Sequence, residues 1–239
     1  MADPDPRLFD TPADKPARFD AAGHRARLRE RLFADADGLL DHELVEYLLG
    51  VAIPRIDTKP LAKELLRTFG DLPALMIADP AALARVKGMG EVSASAIKIV
   101  QAVAIRLLRV QVAARPVLSN WQALLDYLHA DMTPHIVERV RILHLNSRNM
   151  LIRDELVAEG SIDQAPVYIR EVLRRAMDLG SASLIVVHNH PSGDPSPSKG
   201  DIDVTRALID AGKKLGIAVH DHLIVGRSGH ASLKSLGLI

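Results

Sequence analysis

Two histidines one residue apart, His188 and His190, follow the apolar run Ser183-Leu-Ile-Val-Val187. A turn, Pro191-Ser-Gly-Asp-Pro-Ser-Pro-Ser198, then delivers Ser198 and Asp201. Residues i and i+2 of a strand point to the same side, so both imidazoles reach one point in space. Two His and one Asp fill three positions of a tetrahedral Zn²⁺ shell and leave a fourth for water, which separates a catalytic zinc site from a structural one. A lone histidine is more often an ordinary hydrogen-bonded residue. The pair, with an acid supplied by the next turn, favours a metal. Asp194 and Asp203 compete with Asp201 for the third place. Asp194 lies inside the Pro-rich turn, where capping its own backbone is the usual job. Ser198 is the better N-cap of the helix that follows, which leaves Asp201 to face the metal.

The string His-x-His, seven residues, then Ser-x-x-Asp resembles the signature of the JAMM (MPN-plus) metalloproteases. Over its full length, His188-Asn-His-Pro-Ser-Gly-Asp-Pro-Ser-Pro-Ser198 is similar to the bacterial RadC family. The resemblance implies one Zn²⁺ per chain held by His188, His190 and Asp201. It also implies hydrolysis of a peptide or isopeptide amide by a zinc-activated water, with a peptide or protein as substrate. Ser198 would donate a hydrogen bond to the oxyanion. Such enzymes need an upstream glutamate as general base, and Glu155, Glu159 and Glu171 precede the histidines. The resemblance favours Glu155, in the strand Ile152-Arg-Asp-Glu-Leu-Val157; a plain solvent-facing carboxylate there stays open. Two departures from the family are mild: Ser161 where threonine is usual, and Ile169 where proline is usual.

His220-Asp-His222 repeats the His-x-His spacing. The resemblance has an Asp-His pair there too, which assigns Asp221 and His222 to holding a ligand imidazole in place. The letters His-Asn-His at 188–190 do not indicate an HNH nuclease, whose named residues are spread over a ββα element.

The elements that must position these residues lie in the C-terminal half. Strand patterns at 140–146 and 150–157 flank Ser147-Arg-Asn149 as a hairpin. A helix at 169–179, a buried strand at 182–187, a helix at 201–215, a strand at 217–225 and a Gly-rich hairpin follow. Before Pro116 the chain reads as helical, with segments at 24–33, from Asp41 (as N-cap), from Thr58 (as N-cap), at 79–86 and at 91–113. The expected fold is α+β: a disordered leader over 1–20, an all-helical domain over 21–115, and an α/β, mixed-sheet JAMM (cytidine-deaminase-like) domain over 118–239.

In the helical part, Leu83-x-x-Val86-x-Gly88-Met-Gly90-x-x-x-Ala94-x-x-Ile97 resembles a helix–hairpin–helix motif. Gly88 and Gly90 allow a tight turn whose N–H groups can bind a phosphate, with Lys87 and Lys98 adding charge beside a DNA backbone. The same hairpin packs protein against protein in other chains, and both readings stay open. A DNA-associated repair or recombination accessory is therefore the alternative function, with nuclease activity a further variant.

Composition bounds the rest. The 239 residues carry 30 Lys plus Arg and 30 Asp plus Glu, so no global positive field advertises nucleic acid. Without cysteine, disulfides, thiolate metal sites and thiol nucleophiles are excluded. The N-terminus, Met-Ala-Asp-Pro, has neither a basic nor an apolar signal region, and no run of about 18 apolar residues occurs. A cytoplasmic chain without a membrane partner is expected.

Overall fold

The computed structural model describes residues 21–160 and 167–239. The expected leader and the Ser161 departure lie outside the described residues. Two compact units divide between Glu64 and Leu65. The change of composition at 114–118 is thus a change from helix to mixed structure within the larger unit.

The smaller unit holds α1 (Ala21–Ala34), α2 (Asp41–Ala52) and the start of α3 (Lys59–Phe69). Leu28, Val45 and Leu49 are buried, and Arg31 grips Glu43 with two bonds of 2.6 and 2.9 Å. Thr58 does stand at the N-cap position of α3, its carbonyl accepting the Ala62 N–H at 2.9 Å, whereas the start of α2 differs. Leu40 precedes α2, and its N–H donates to the Glu43 carboxylate at 3.0 Å, which puts Asp41 in the first turn. The buried Thr58 hydroxyl donates to the Glu46 carbonyl at 2.8 Å, and Asp57 accepts the Lys59 N–H at 3.1 Å.

The larger unit continues with α4 (Leu72–Ile77), α5 (Pro80–Ala84) and α6 (Glu91–Ala113). Then come α7 (Trp121–Met132), β1 (Glu138–Leu145), β2 (Leu151–Gly160) and α8 (Ile169–Asp178). The chain closes with β3 (Ser183–Asn189), α9 (Lys199–Lys214), β4 (Ala218–Gly226) and β5 (Gly229–Ser232). No described helix is long and apolar enough to cross a membrane.

The five strands form one mixed sheet in the order β2-β1-β3-β4-β5. β1 runs antiparallel to both neighbours, while β3 and β4 are parallel across the α9 crossover. The β1–β2 turn closes because the Asn146 carboxamide accepts N–H bonds from Arg148 and Met150, at 2.9 and 3.0 Å. Helices cover both faces. Leu124, Tyr127, Leu128 and Met132 of α7 pack on Leu143, Ile185, Val187 and Leu223, with Ile105 and Leu108 of α6 beside them. On the opposite face, Val172 and Leu173 of α8 and Leu208 of α9 pack on Val140, Ile142, Leu184 and Val186. All seven residues of β3 are buried for that reason, which explains an apolar run without alternation.

One ionic cluster sits in the α7 face. The Asp154 carboxylate accepts from the Tyr127 hydroxyl and, at 2.7 Å, from Arg141 Nε, and Arg141 also reaches Asp131. Burial and the Asp154 charge push the Tyr127 hydroxyl well above its usual range. Removing one partner of such a buried pair strands the other. Asp154→Ala should therefore lower unfolding stability by roughly 3 kcal/mol in urea denaturation. A loss below about 1 kcal/mol would show the pair to be dispensable.

Candidate metal centre

His188 occupies the C-terminal end of β3, paired with Val140 of β1 and Ile224 of β4. His190 stands just beyond, and Asp201 comes from the first turn of α9. Ligand atoms of these three lie within 4.8 Å of one another. His188 Nε2 is 2.9 Å from His190 Nε2 and 3.4 Å from Asp201 Oδ1, and His190 Nε2 is 3.9 Å from Asp201 Oδ2. A tetrahedral Zn²⁺ shell with bonds of 2.0–2.2 Å has edges of roughly 3.4 Å, so the spacing suits such an ion.

The hydrogen bonds behind the rings fix which nitrogens carry protons. The Asp194 carbonyl lies 2.8 Å from His190 Nδ1 and can only accept, so Nδ1 is the N–H and Nε2 is bare. For His188 the same deduction runs through two more residues. Thr205 Oγ1 donates its single proton to the Asp201 carbonyl, so His222 Nδ1 must donate to Thr205 Oγ1. His222 Nε2 then accepts, at 2.7 Å, from His188 Nδ1–H. His188 Nε2 is left bare as well. With both rings neutral, two lone pairs 2.9 Å apart beside a carboxylate repel one another unless a proton or a metal ion lies between them.

Burial keeps both inner rings neutral. It pushes His188 down to about 4 despite Asp201, and His222 to about 3. Burial works against ionisation of Asp201, but His188 and two hydrogen bonds from Ser198 outweigh it and hold that carboxyl below its usual value.

Ser198 differs from expectation. It caps α9, accepting the Asp201 N–H at 3.2 Å, while its own N–H and hydroxyl donate to Asp201 Oδ2 at 2.7 and 2.6 Å. Its proton therefore orients the ligand carboxylate and leaves none for an oxyanion. Asp194 accepts from Ser196 N–H and Oγ within its turn. The turn rests on the β4–β5 hairpin so closely that a Cβ at Gly226 would meet Gly193 O at 2.3 Å. Asp221 also departs from expectation: it faces away from the rings and accepts from Ser232 Oγ at 2.6 Å and the Lys234 N–H at 3.1 Å. His220 bonds Asn149 at 2.8 Å, so it forms no pair with His222.

The family model described as the RadC-like JAB domain matches residues 118–238, which span the whole sheet and every residue of this cluster. The chain belongs to the RadC family. Within this RadC chain neither Glu155, the expected base, nor the other two candidates, Glu159 and Glu171, make a bond to the cluster among those described. Glu155 pairs with Arg175 at 2.9 Å, with His144 at 3.8 Å. The register sets it level with Ile142 and Val186 on β2, two strands and two residues away from His188. Sheet spacing makes that about 10 Å sideways and about 7 Å along. Glu159 pairs with Arg139 at 2.8 Å and Glu171 with Arg174 at 3.1 Å.

Glu155 shares the sheet face of His188, but Glu138 shares that face one strand away and nearer along it. Glu138 precedes Val140 by two residues, so it shares the face of Val140 and His188, and the β1–β3 register carried two residues further sets it level with His190. The strand pattern at 140–146 begins two residues after Glu138, whereas β1 itself starts at Glu138. Alternation of Glu138, Val140 and Ile142 against Arg139 and Arg141 was the available signal.

The helical motif is also differently employed. Gly88 takes φ +97°, a conformation that suits glycine. The Gly90 N–H, however, donates to Ser93 Oγ at 2.8 Å, and Glu91 places negative charge in the first turn of α6. Lys98 donates to the carbonyls of Met76 and Ala78 at 3.2 and 2.6 Å, holding the end of α4 instead of facing solvent beside Lys87.

Two outcomes follow from the ring network. His222→Ala leaves the His188 Nδ1–H unpaired and should weaken Zn²⁺ binding 10–100-fold by calorimetric titration, roughly the range for such partners; unchanged affinity would contradict the tautomer assignment. In the metal-free protein, unfolded His188 and His222 take up protons near pH ~6.5 while the folded rings resist to about 4 and 3. The unfolded state then binds more protons, so stability should fall as pH drops from ~6.5 toward 4. His222→Gln should flatten that slope in thermal melts.

Proposed function

We propose that this RadC chain is a metal-dependent hydrolase that cleaves a peptide or isopeptide amide, with Zn²⁺ as the resident ion. The carrying observation is the convergence of two bare imidazole nitrogens and one carboxylate, with Glu138 on the same sheet face, level with His190. A bound divalent ion supplies Lewis acidity that polarises an amide carbonyl and lowers the pKa of an attacking water. His188, His190 and Asp201 hold it, and Ser198 and His222 orient Asp201 and His188. Glu138 takes a proton from the attacking water. As the C–N bond breaks, it passes that proton to the departing amine nitrogen.

A polymeric substrate suits the surroundings. A cleft of about 510 Å³ is lined by Ile136, Pro191, Arg227, Ala78 and Phe69, and Pro191 directly follows His190 in the chain. Ile136, two residues before Glu138, is 77% exposed at its edge.

The test is turnover of a fluorogenic peptide and isopeptide panel by the Zn²⁺-loaded chain. Activity should vanish on chelation and return with Zn²⁺. Asp201→Asn should lose metal and turnover together. Glu138→Gln should keep one equivalent of metal and lose turnover by about 10²–10⁴-fold, whereas Glu155→Gln should stay within about threefold, a surface-pair effect. Full activity in Glu138→Gln, or no stoichiometric metal in the parent, would overturn the reading.

A further inference from the structure

β1 and β3 pair from Leu145 with Ser183 as far as Val140 with His188. Carried three residues further, that register sets Val137 against Pro191. Proline has no N–H, so the Val137 carbonyl has no main-chain donor there, and β3 has already left the sheet. The Asn189 side chain stands in this gap. It is 1% exposed. Its Oδ1 accepts the Arg139 N–H at 2.8 Å. Its Nδ2 donates to the Val137 carbonyl at 3.1 Å, with a longer contact of 3.4 Å to the His135 carbonyl. The two close bonds grip the backbone on either side of Glu138.

We propose that Asn189 is a positioning residue: its carboxamide replaces the missing strand pairing and fixes Glu138 relative to the two histidines. The position between the histidines is what makes this work. Residue 189 points to the sheet face opposite His188, so its amide holds β1 from behind while the imidazoles face the ion. One residue thereby ties the spacing of the proton-handling group to that of the ligands. This rests on the reading of Glu138 given above.

The experiment uses the full chain, with and without Zn²⁺. Asn189→Ala should speed exchange of the Arg139 amide by at least about tenfold, as a locally opened segment does. It should leave Zn²⁺ affinity within about threefold, because all three ligands remain, and lower kcat by about 100-fold with KM little changed. Asn189→Asp keeps the size and the acceptor for Arg139 but loses the donor to Val137. It should protect the Arg139 amide and fall between parent and alanine variant in kcat. Unchanged Arg139 exchange in Asn189→Ala would overturn the proposal. So would a Zn²⁺ affinity loss above about tenfold in Asn189→Asp, which would place the residue's effect on the ligands. Amide exchange needs no turnover, so it decides the clamp even if Glu138→Gln keeps full activity, a result that would sink the acid–base reading alone.

Discussion

A hydroxyl has one proton, and at Thr205 it goes to the Asp201 carbonyl. The orientation of everything beyond follows from that. His222 must donate toward Thr205, His188 must donate toward His222, and the outer nitrogen of His188 is left as a lone pair. The same carbonyl belongs to the residue whose carboxylate completes the cluster. The acid and the imidazole are thus set by one chain of bonds rather than by separate supports. Burial makes the arrangement strict, because a neutral ring has a single donor and a single acceptor.

The fold supplies what this chain of bonds requires. A strand covered on both faces brings His188 to a dry position. The parallel crossover through α9 returns β4 beside β3, which puts His222 next to His188 although 34 residues separate them. The antiparallel neighbour on the other side carries Glu138. Neighbouring strands on the two sides of β3 therefore contribute different groups: β4 orients the His188 ring, and β1 sets a carboxylate on the same face.

Sequence spacing picked out the His188, His190 and Asp201 cluster because each member depends on short-range geometry. His188 and His190 share a strand face by alternation, and Asp201 stands three residues after its helix cap. Which glutamate stands near the cluster depends on pairing between segments about fifty residues apart, and the resemblance points to Glu155 although β2 lies beyond β1. A one-strand error is invisible without the register. Lys98 and Gly90 show the same limit: their types suit a phosphate, yet Met76, Ala78 and Ser93 already engage them. Asn189 stands out in the sequence only as part of a motif, because its bonds to Arg139 and Val137 arise where Pro191 lacks an N–H opposite Val137. The helices of the first half were readable from capping and periodicity, while the compact units divide inside α3, where no composition changes.

The close backbone approach of Gly226 to Gly193 bears on how an ion comes and goes. His188 is anchored in the sheet, whereas His190 and Asp201 bracket the turn that leans on this glycine contact. Loading and release would then follow the lifting of a short surface segment, with the strands intact. Such an opening costs a fraction of global unfolding. The hold of the cluster on any ion would then depend on two glycines that lie outside it.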